Sequence, residues 1–472
     1  MRQVTMKWVN HASYTIKYKS IHLIVDPWLF GSAFNDGWDL LVESKFTIQD
    51  FENITHIWFS HEHPDHFSPP VISNIPEKTR KRITVLFQET NDKRIVNFCK
   101  TLSFNVKELT HGEKYSLEEN FTITCGQIFP IDSWSLCEIG GIKILNLNDC
   151  VIDKRNLCES IKKTTGKADI LMTQFSYANW IGNPEDSLLR EEAARETLHR
   201  IKTQIEAFKP RYTIPFASFI YFSHEENRYM NDRINTVETA NNFINEQTGS
   251  TPVVLYPEDE WDCSSTPSNE SPLERYKAAY DRLPNLPYRK PSQPLPELDL
   301  FKASEKYLQD IRKYNSVLAM KLLGLLPSRF GYRTITIKLM DTDRYCRFNW
   351  TKGLRFISSS PNSEDVALSS LSLQQIFQFQ WGIGSVLVNG RYRASIKGKR
   401  IFSHIFMLGL MNSMGKYLSI GLLVNKVISK ALGKDISTEE EFSFYKYWNR
   451  WVTSHSSGTA TMLVNSGARR PQ

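Results

Sequence analysis

The stretch FSHEHPDHFS (59–68) places three histidines and one aspartate within six positions, directly after an apolar run. In an extended chain, residues two apart point to the same face, so His61 and His63 can chelate one cation. Asp65 and His66 lie on the following turn and can hold a second cation nearby. Imidazole and carboxylate are ligands that suit Zn²⁺ and Fe. The pattern predicts a metal site rather than a histidine-rich surface turn, because a surface turn has no reason to follow an apolar strand in this order.

The composition is that of a soluble globular protein, with 41% hydrophobic and 23% charged residues among 472. The net charge of +7 is small for this length; it is compatible with an anionic small-molecule ligand and does not indicate a nucleic-acid binder. The seven cysteines are scattered without a CxxC pattern, which indicates free thiols in a reducing compartment. Since the N-terminus also lacks the apolar region of a signal peptide, we expect a cytoplasmic protein.

The chain is predicted to contain two folded parts. Residues 1–261 alternate strand-like and helical segments, which predicts an α/β domain of two sheets covered by helices. Residues 262–300 are rich in Pro and Ser and are predicted to form an extended, poorly packed linker. A smaller α+β domain is expected over 301–453, opening with one helix over 301–326. Residues 454–472 are predicted to be a disordered tail.

The most apolar late stretch is IFMLGLMNSMGKYLSIGLLV (405–424), with Lys416 near its middle. A charge at that position argues against a membrane span, so we expect buried helices and no transmembrane segment. The neighbouring stretch 368–395 faintly resembles a sterol-carrier-like fold. A structural cap or a dimerisation module is an equally good interpretation of the C-terminal domain.

HxHxDH after a strand resembles the motif of the metallo-β-lactamase superfamily, whose fold is an αββα sandwich with metals at one sheet edge. The resemblance implies roles for further residues. Asp26, in LIVDPWL, corresponds to the aspartate that orients the histidine loop, and Asp149, in ILNLNDC, to the metal-bridging aspartate. The hairpin NHASYTIKY matches the branch with ascorbate-6-phosphate lactonase and the N-acyl-phosphatidylethanolamine phospholipase D. His11 in that hairpin would contact and orient a metal-ligating side chain, or it would be an ordinary hairpin residue without a role in the site.

A narrower resemblance is to CMP-N-acetylneuraminate hydroxylase, over residues 10–41 and 215–232 and more faintly over 338–345. It implies an iron oxygenase acting on an anionic small molecule such as a nucleotide sugar. That family carries an N-terminal Rieske domain, whose cluster is held by two Cys and two His. The present sequence has no CxH…CxxH pattern, so a Rieske or ferredoxin-type electron donor is expected on another polypeptide.

Two positions depart from the hydrolases of the superfamily, which usually offer a further histidine at each. The first region reads FPIDSW, where Asp132 is a candidate ligand or, equally, a turn residue. The second reads IPFASF, with Ala217 in place of the histidine, and His224, seven residues on, is a candidate substitute with a catalytic role. The resulting candidates for holding one or two divalent ions, Fe or Zn, are His61, His63, Asp65, His66, Asp132 and Asp149, with Asp65 also a candidate catalytic residue.

Three functions follow from these residues. The first is an oxygenase or hydroxylase component that needs a separate electron donor. The second is a zinc-dependent hydrolase of a phosphoester, lactone or amide, in which a metal-bound hydroxide attacks the substrate. The third is a non-catalytic metal-binding protein, which Ala217 favours. The first is preferred because of the run of matches to the hydroxylase.

Overall fold

A computed structural model of the chain describes residues 3–128, 131–266, 268–324, 334–422 and residue 424. Contacts divide the described residues into two compact units. The first comprises Met1–Ala178, Glu191–Ser223 and Asn231–Tyr288; the second comprises Asn179–Arg190, His224–Met230 and Arg289–Gln472. Two short segments from the N-terminal half therefore join the second unit, which a linear division of the sequence does not anticipate. The domain limits given above stay a prediction.

Up to Tyr288, the described residues form sixteen strands and seven α-helices. The strands are β1 (Thr5–Asn10), β2 (Ser13–Tyr18), β3 (Ile21–Val25), β4 (Trp38–Leu40), β5 (His56–Phe59), β6 (Thr84–Gln88), β7 (Asn105–Leu109), β8 (Lys114–Glu118), β9 (Phe121–Ile128), β10 (Asp132–Ile139), β11 (Ile142–Asn146), β12 (Ile170–Gln174), β13 (Tyr212–Phe216), β14 (Ile220–Phe222), β15 (Thr251–Pro252) and β16 (Glu260–Asp262). The helices are α1 (Pro69–Asn74), α2 (Glu77–Arg80), α3 (Arg94–Thr101), α4 (Arg155–Thr165), α5 (Ser187–Phe208), α6 (Val237–Gln247) and α7 (Glu270–Arg282).

Two seven-stranded sheets build the first unit, in the orders β16-β1-β2-β3-β5-β6-β7 and β15-β13-β12-β11-β10-β9-β8. Alternation along β5 shows how the sheets are covered. Trp58 packs in the core between the two sheets, whereas Ile57 and Phe59 pack outside with helices α1 and α3. Because successive strand residues point to opposite faces, an apolar strand buried on both sides fits a sandwich flanked by helices. The predicted fold class is confirmed.

The register of the strands places several polar residues at one edge. Strand β5 runs parallel to β3 and β6 and ends where the histidine motif begins. In the second sheet, β10 pairs antiparallel with β11 and brings Ser135 opposite Asn146. Counting three residues on from each partner, Asp132 and Asp149 fall at the same end of these strands.

Part of the predicted linker is folded. Residues 270–282 form helix α7, and its Tyr276 is 1% exposed and stacks on Phe219 with ring centroids 4.6 Å apart. The prediction of an extended, poorly packed segment is wrong for this helix. Apolar residues at helical spacing give α7 one buried face, and Pro272 is tolerated because it lies in the first turn.

The second unit is of the predicted α+β type. Its sheet has the order β19-β18-β17-β20-β21, and its strands and helices are β17 (Ile335–Leu339), β18 (Arg344–Asn349), β19 (Gly353–Ile357), β20 (Val366–Leu368), β21 (Tyr392–Ala394), α8 (Glu297–Tyr314), α9 (Val317–Gly324), α10 (Ser370–Gln378), α11 (Gly382–Asn389) and α12 (Ile396–Ser413). The single helix expected over 301–326 is split at Asn315. Its backbone is extended, and its side chain bonds Ile311, Asn412 and Leu418. The predicted tail, 454–472, lies outside the described residues.

Helix α12 contains the first part of the apolar stretch 405–424, with Phe406 and Leu408 fully buried, and Leu418 beyond the helix is buried as well. Within the described ranges, no helix combines the length and the hydropathy that crossing a bilayer requires.

Candidate metal centre

The histidine motif forms a tight turn between β5 and α1. The backbone N–H groups of His66 and Phe67 both donate to the carbonyl of His63, at 3.0 and 2.7 Å. This turn sends the chain back towards the sheet edge, so that Asp65 and His66 lie beside His61. His61, Asp65 and His66 are at most 3% exposed.

His61 and His63 converge on one point together with two aspartates from the second sheet. His61 Nε2 lies 2.9 Å from His63 Nδ1, 3.6 Å from Asp149 Oδ2 and 3.8 Å from Asp132 Oδ1. Two ligand atoms that are both 2.0–2.2 Å from one cation, at octahedral or tetrahedral angles, lie roughly 2.9–3.5 Å apart. The distance between the two histidine nitrogens falls in this range, and the two carboxylate oxygens lie just beyond it at 3.6 and 3.8 Å, so small rotations of the carboxylates would let this group hold one divalent cation.

A second group of ligand atoms surrounds His66. Its Nε2 lies 3.3 Å from Asp65 Oδ2 and 3.6 Å from Asp149 Oδ2. His11 Nε2 lies 3.2 Å from the same Asp65 oxygen. Asp149 Oδ2 is 3.6 Å from the Nε2 atoms of both His61 and His66, so it would be able to contribute to a cation held by either histidine.

Several buried polar atoms at this edge lack a hydrogen-bond partner among the residues that the structure describes. They are His66 Nε2, Asp65 Oδ1, Asp149 Oδ1 and His11 Nδ1. A buried polar atom left unsatisfied costs about 1–3 kcal/mol. Divalent cations would satisfy the nitrogens and oxygens that converge here, so the donor set fits one or two such ions.

The charges of the cluster also fit a cation. Burial lowers the pKa of His61 and of His63 to about 3, so both rings are neutral near pH 7 and offer lone pairs. Burial, reinforced by the nearby Asp149 carboxylate, raises the pKa of Asp132 well above its ordinary value. Burial opposes the charged form of His66, but Asp65, Asp149 and Asp26 outweigh it and raise the pKa of His66 well above 6.5.

Asp26 holds the motif in place from beneath. Its Oδ1 accepts from the backbone N–H of Ser60 at 2.8 Å, and its Oδ2 lies 2.6 Å from the Ser60 hydroxyl oxygen. The same Oδ2 accepts from Asn148 Nδ2 at 2.8 Å and lies 2.9 Å from His66 Nδ1. A proton on Nδ1 shared with Asp26 would leave the Nε2 lone pair of His66 for a cation, which would take the place of the second proton that the surrounding carboxylates favour.

Strained backbone accompanies the cluster. Four non-glycine residues around it have positive φ: His11 at 23°, Asp26 at 40°, Asn148 at 55° and Ala217 at 45°. The Ala217 N–H donates to the carbonyl of His11 at 3.0 Å. Ala217, which stands where the hydrolases have a histidine, is thus hydrogen-bonded to the turn between β1 and β2. Positive φ is uncommon for such residues and is concentrated at functional sites.

The structure brings all six candidate ligands together in the first unit, with His11 and Asp26 in contact with them. His224 instead belongs to the second unit. Its Nδ1 accepts from the backbone N–H of Glu226 at 3.1 Å and lies 3.5 Å from a carboxylate oxygen of that residue. None of the metal-ligand groups formed by the described residues includes His224, and its catalytic role stays a prediction.

The sequence interpretation missed four residues that position the cluster. Ser60 and Asn148 both directly precede candidate ligands, so adjacency could have identified them. Gln88 Nε2 donates to the Ser60 carbonyl at 3.1 Å, and the Ser133 hydroxyl donates to the same oxygen. Nothing local marks Gln88, because its contact depends on the pairing of β5 with β6.

A helix-flanked sandwich of two sheets, with a His/Asp cluster at one edge, defines the metallo-β-lactamase class of fold. In agreement, residues 5–185 match the family described as "Beta-lactamase superfamily domain". The matched range contains the whole candidate cluster. The resemblance predicted from the motif is confirmed.

Similarity to curated proteins extends over about half of the chain. The chain is 27% identical over 247 residues to cytidine monophosphate-N-acetylneuraminic acid hydroxylase of Xenopus laevis, covering 49% of this chain and 40% of that protein. It is 25% identical over 255 residues to the enzyme of the same name from Mus musculus, covering 52% and 44%. The matched region thus spans less than half the length of either relative.

Among solved structures, the chain resembles CmlA, a diiron β-hydroxylase from Streptomyces venezuelae. The TM-score is 0.40 and the identity 15%, covering 56% of this chain and 54% of that one. At this level the likeness adds nothing to the argument about function.

Proposed function

We propose that this protein is a metal-dependent hydroxylase component that inserts one oxygen atom into an anionic small molecule and receives electrons from a separate protein. The observation that carries the proposal is the composition of the ligand groups. His61, His63 and Asp132 form one set of two histidines and one carboxylate, and a second group brings Asp65 and Asp149 around His66. Two histidines with one carboxylate are the ligand set of non-haem Fe(II) oxygenases. Similarity to curated hydroxylases over about half of the chain supports the same choice.

The reaction balances as R–H + O₂ + 2e⁻ + 2H⁺ → R–OH + H₂O. One C–H bond breaks and one C–O bond forms, and dioxygen is reduced by two electrons from the substrate and two from the donor protein. Bound iron would supply the activation of dioxygen. A Rieske-type or ferredoxin-type protein is the proposed donor, because the seven cysteines of this chain are all buried and scattered.

The chain's own residues divide the remaining tasks. His61 and His63 would hold one cation, Asp65 and His66 the other, and Asp149 would bridge them, with Asp132 completing the first set. Asp65 and His11 form a buried pair, 3.2 Å apart, beside the proposed ions. The neighbouring His66 and the hydrogen bond from His11 outweigh the effect of burial and hold the pKa of Asp65 well below its ordinary value. Asp65 thus stays ionised. Burial lowers the pKa of His11, so the neutral His11 ring can donate its Nε2 proton to Asp65.

The test uses the iron-loaded chain, an added ferredoxin-type or Rieske-type donor with its reductase, and ¹⁸O₂. The substrate is cytidine monophosphate-N-acetylneuraminic acid, the compound in the relatives' name. We expect one labelled oxygen per product, formed only with the donor present. A His63→Ala variant should lose the product, whereas His199→Ala, an exposed histidine on α5, should retain it. Product formed without any donor would contradict the proposal.

The hydrolase is the second candidate, favoured by the superfamily match and by the fact that two histidines and one carboxylate also hold catalytic zinc. Zinc-loaded protein would then cleave an activated ester or phosphodiester without a reductant, and His61→Ala would abolish cleavage. Running both assays on one preparation separates the two chemistries. Failure of both over a broad substrate panel would favour the non-catalytic alternative, for which Ala217 is the physical reason.

A further inference from the structure

The guanidinium group of Arg200 has no carboxylate partner. It lies on the face of α5 that packs against the loop after β11, the loop that carries Asp149. Arg200 Nη2 donates to the neutral Gln174 Oε1 at 2.8 Å. The Nε of Arg200 is buried and has no hydrogen-bond partner among the described residues. No carboxylate oxygen in the described part of the chain lies within 4.0 Å of this guanidinium. Arg200 as a whole is half-buried. Arginine stays charged in proteins, so its buried and unpartnered Nε–H is costly.

Hydrogen bonds fix where this guanidinium lies. Gln174, its partner, closes strand β12, and the backbone N–H of Gln174 donates to the carbonyl of Asn148 at 3.1 Å. One helical turn beyond Arg200, Gln204 Nε2 donates to the carbonyl of Ile152 at 3.0 Å. Residues four apart share one face of a helix, so this face lies along the loop that carries Asp149.

The electrostatics agree with that placement. Burial lowers the pKa of Arg200, while the carboxylates of Asp153 and Asp149 act in the opposite direction from beyond ion-pair distance. Asp153 is exposed and Asp149 is proposed to be committed to the cations. Since neither forms an ion pair with Arg200, its positive charge is available to another anion. A guanidinium presents a planar fork that matches carboxylate and phosphate groups.

We propose that Arg200, positioned by Gln174, binds an oxyanion of the substrate, a carboxylate or a phosphate, beside the metal centre. The inference rests on the proposed function and deepens it, since it gives the substrate's negative charge a specific partner. A purely structural alternative is that Arg200 only offsets the negative charge of the loop. In that case its removal would reduce metal binding and stability without a specific effect on anions.

The experiment measures binding rather than turnover, with metal-loaded full-length protein and inorganic phosphate as the probe in titration calorimetry. We expect Arg200→Gln to weaken phosphate binding roughly tenfold to a hundredfold, the effect of losing a hydrogen bond to a charged group. Arg200→Lys keeps the charge without the fork and should lie between. Arg195→Gln, an exposed arginine on the same helix, should bind like the wild type, and metal content should be equal in all four proteins.

Wild-type phosphate affinity in Arg200→Gln, or a parallel loss of metal, would overturn the assignment. If Arg200→Gln does not fold, Arg200→Lys decides: a several-fold loss supports the assignment and wild-type affinity overturns it. Cytidine monophosphate-N-acetylneuraminic acid and its carboxyl methyl ester then identify the group bound. A preference for the acid that Arg200→Gln abolishes indicates the carboxylate, and one that persists indicates the phosphate. Arg200-dependent phosphate binding without labelled product would contradict the hydroxylase and leave the anion site standing.

Discussion

Replacing Asp26 by Asn should weaken metal binding although Asp26 touches no cation. The carboxylate has one oxygen facing the Ser60 backbone N–H and the other facing His66 Nδ1, Asn148 Nδ2 and the Ser60 hydroxyl. An asparagine has only one acceptor oxygen. If that oxygen stays on the Ser60 amide, the new NH₂ group faces the Asn148 donor and also His66 Nδ1.

The magnitude follows from those contacts. The Ser60 hydroxyl can rotate to accept, but Asn148 Nδ2 cannot, so one charge-assisted hydrogen bond is lost at about 1.5–3 kcal/mol. His66 can accept from the new amide only by moving its proton from Nδ1 to Nε2. A proton on Nε2 removes the lone pair that the second cation requires. Comparable changes behind a metal ligand cost about tenfold to a hundredfold in metal affinity, or roughly 1.4–2.7 kcal/mol.

The assay is competition with a chelator for the bound metal, together with urea unfolding of the metal-free protein. Asp50→Asn is the matched control. Asp50 Oδ2 accepts from the backbone N–H and the hydroxyl of Thr47 at 2.7 and 2.8 Å. Asp50 precedes the first residue of β5, whereas the metal cluster follows its last residue. We expect the Asp50 variant to bind metal like the wild type. Equal metal affinity in Asp26→Asn and Asp50→Asn would refute the tautomer argument.

Three further predictions concern stability and domain structure. Because the pKa values of His61 and His63 are about 3 when folded and near 6.5 when unfolded, the unfolded chain binds more protons between these values. The free energy of unfolding of metal-free protein should therefore fall as pH drops from 6.5 towards 3, and less steeply in a His61→Ala/His63→Ala variant; equal slopes would contradict this. Tyr276→Ala should cost about 3–5 kcal/mol of stability in urea unfolding, whereas Tyr276→Phe, which loses only the bond to the Leu255 carbonyl, should cost about 1 kcal/mol. Limited proteolysis with a non-specific protease should cut within 290–296, which has no helix or strand and is almost entirely exposed, before it cuts α7; first cleavage inside α7 would argue against its packing.

The sequence could predict what local pattern controls. The apolar strand before His61, the two-residue spacing to His63 and the strand end before Asp149 all depend on neighbouring residues. Asp132 joins the cluster because β10 pairs with β11 in a register that puts Asp132 and Asp149 at the same end of the two strands. That pairing is not evident from the sequence. The contributions of Gln88 and Arg200 depend on contacts between distant segments, for which a single sequence contains no local signal.

The two structural corrections have the same origin. In residues 262–300 the prediction of an extended linker followed from the proline and serine content. The helical spacing of Pro272, Tyr276 and Ala279, which form the buried face of α7, was the better guide. In residues 301–326 the helical pattern continues through Asn315, and only the bonds of its side chain to Asn412 and Leu418 explain the break. Tertiary contacts of this kind override local propensity.

The central claim is that six side chains from two sheets hold a pair of divalent cations. Elemental analysis of protein purified anaerobically and loaded to saturation tests it most directly, by counting metal ions per chain in the wild type and in His63→Ala and His66→Ala variants. We predict two ions in the wild type and about one in each variant, with iron retained on purification if the hydroxylase proposal is correct. One ion or fewer in the wild type, or two ions retained in both variants, would contradict it.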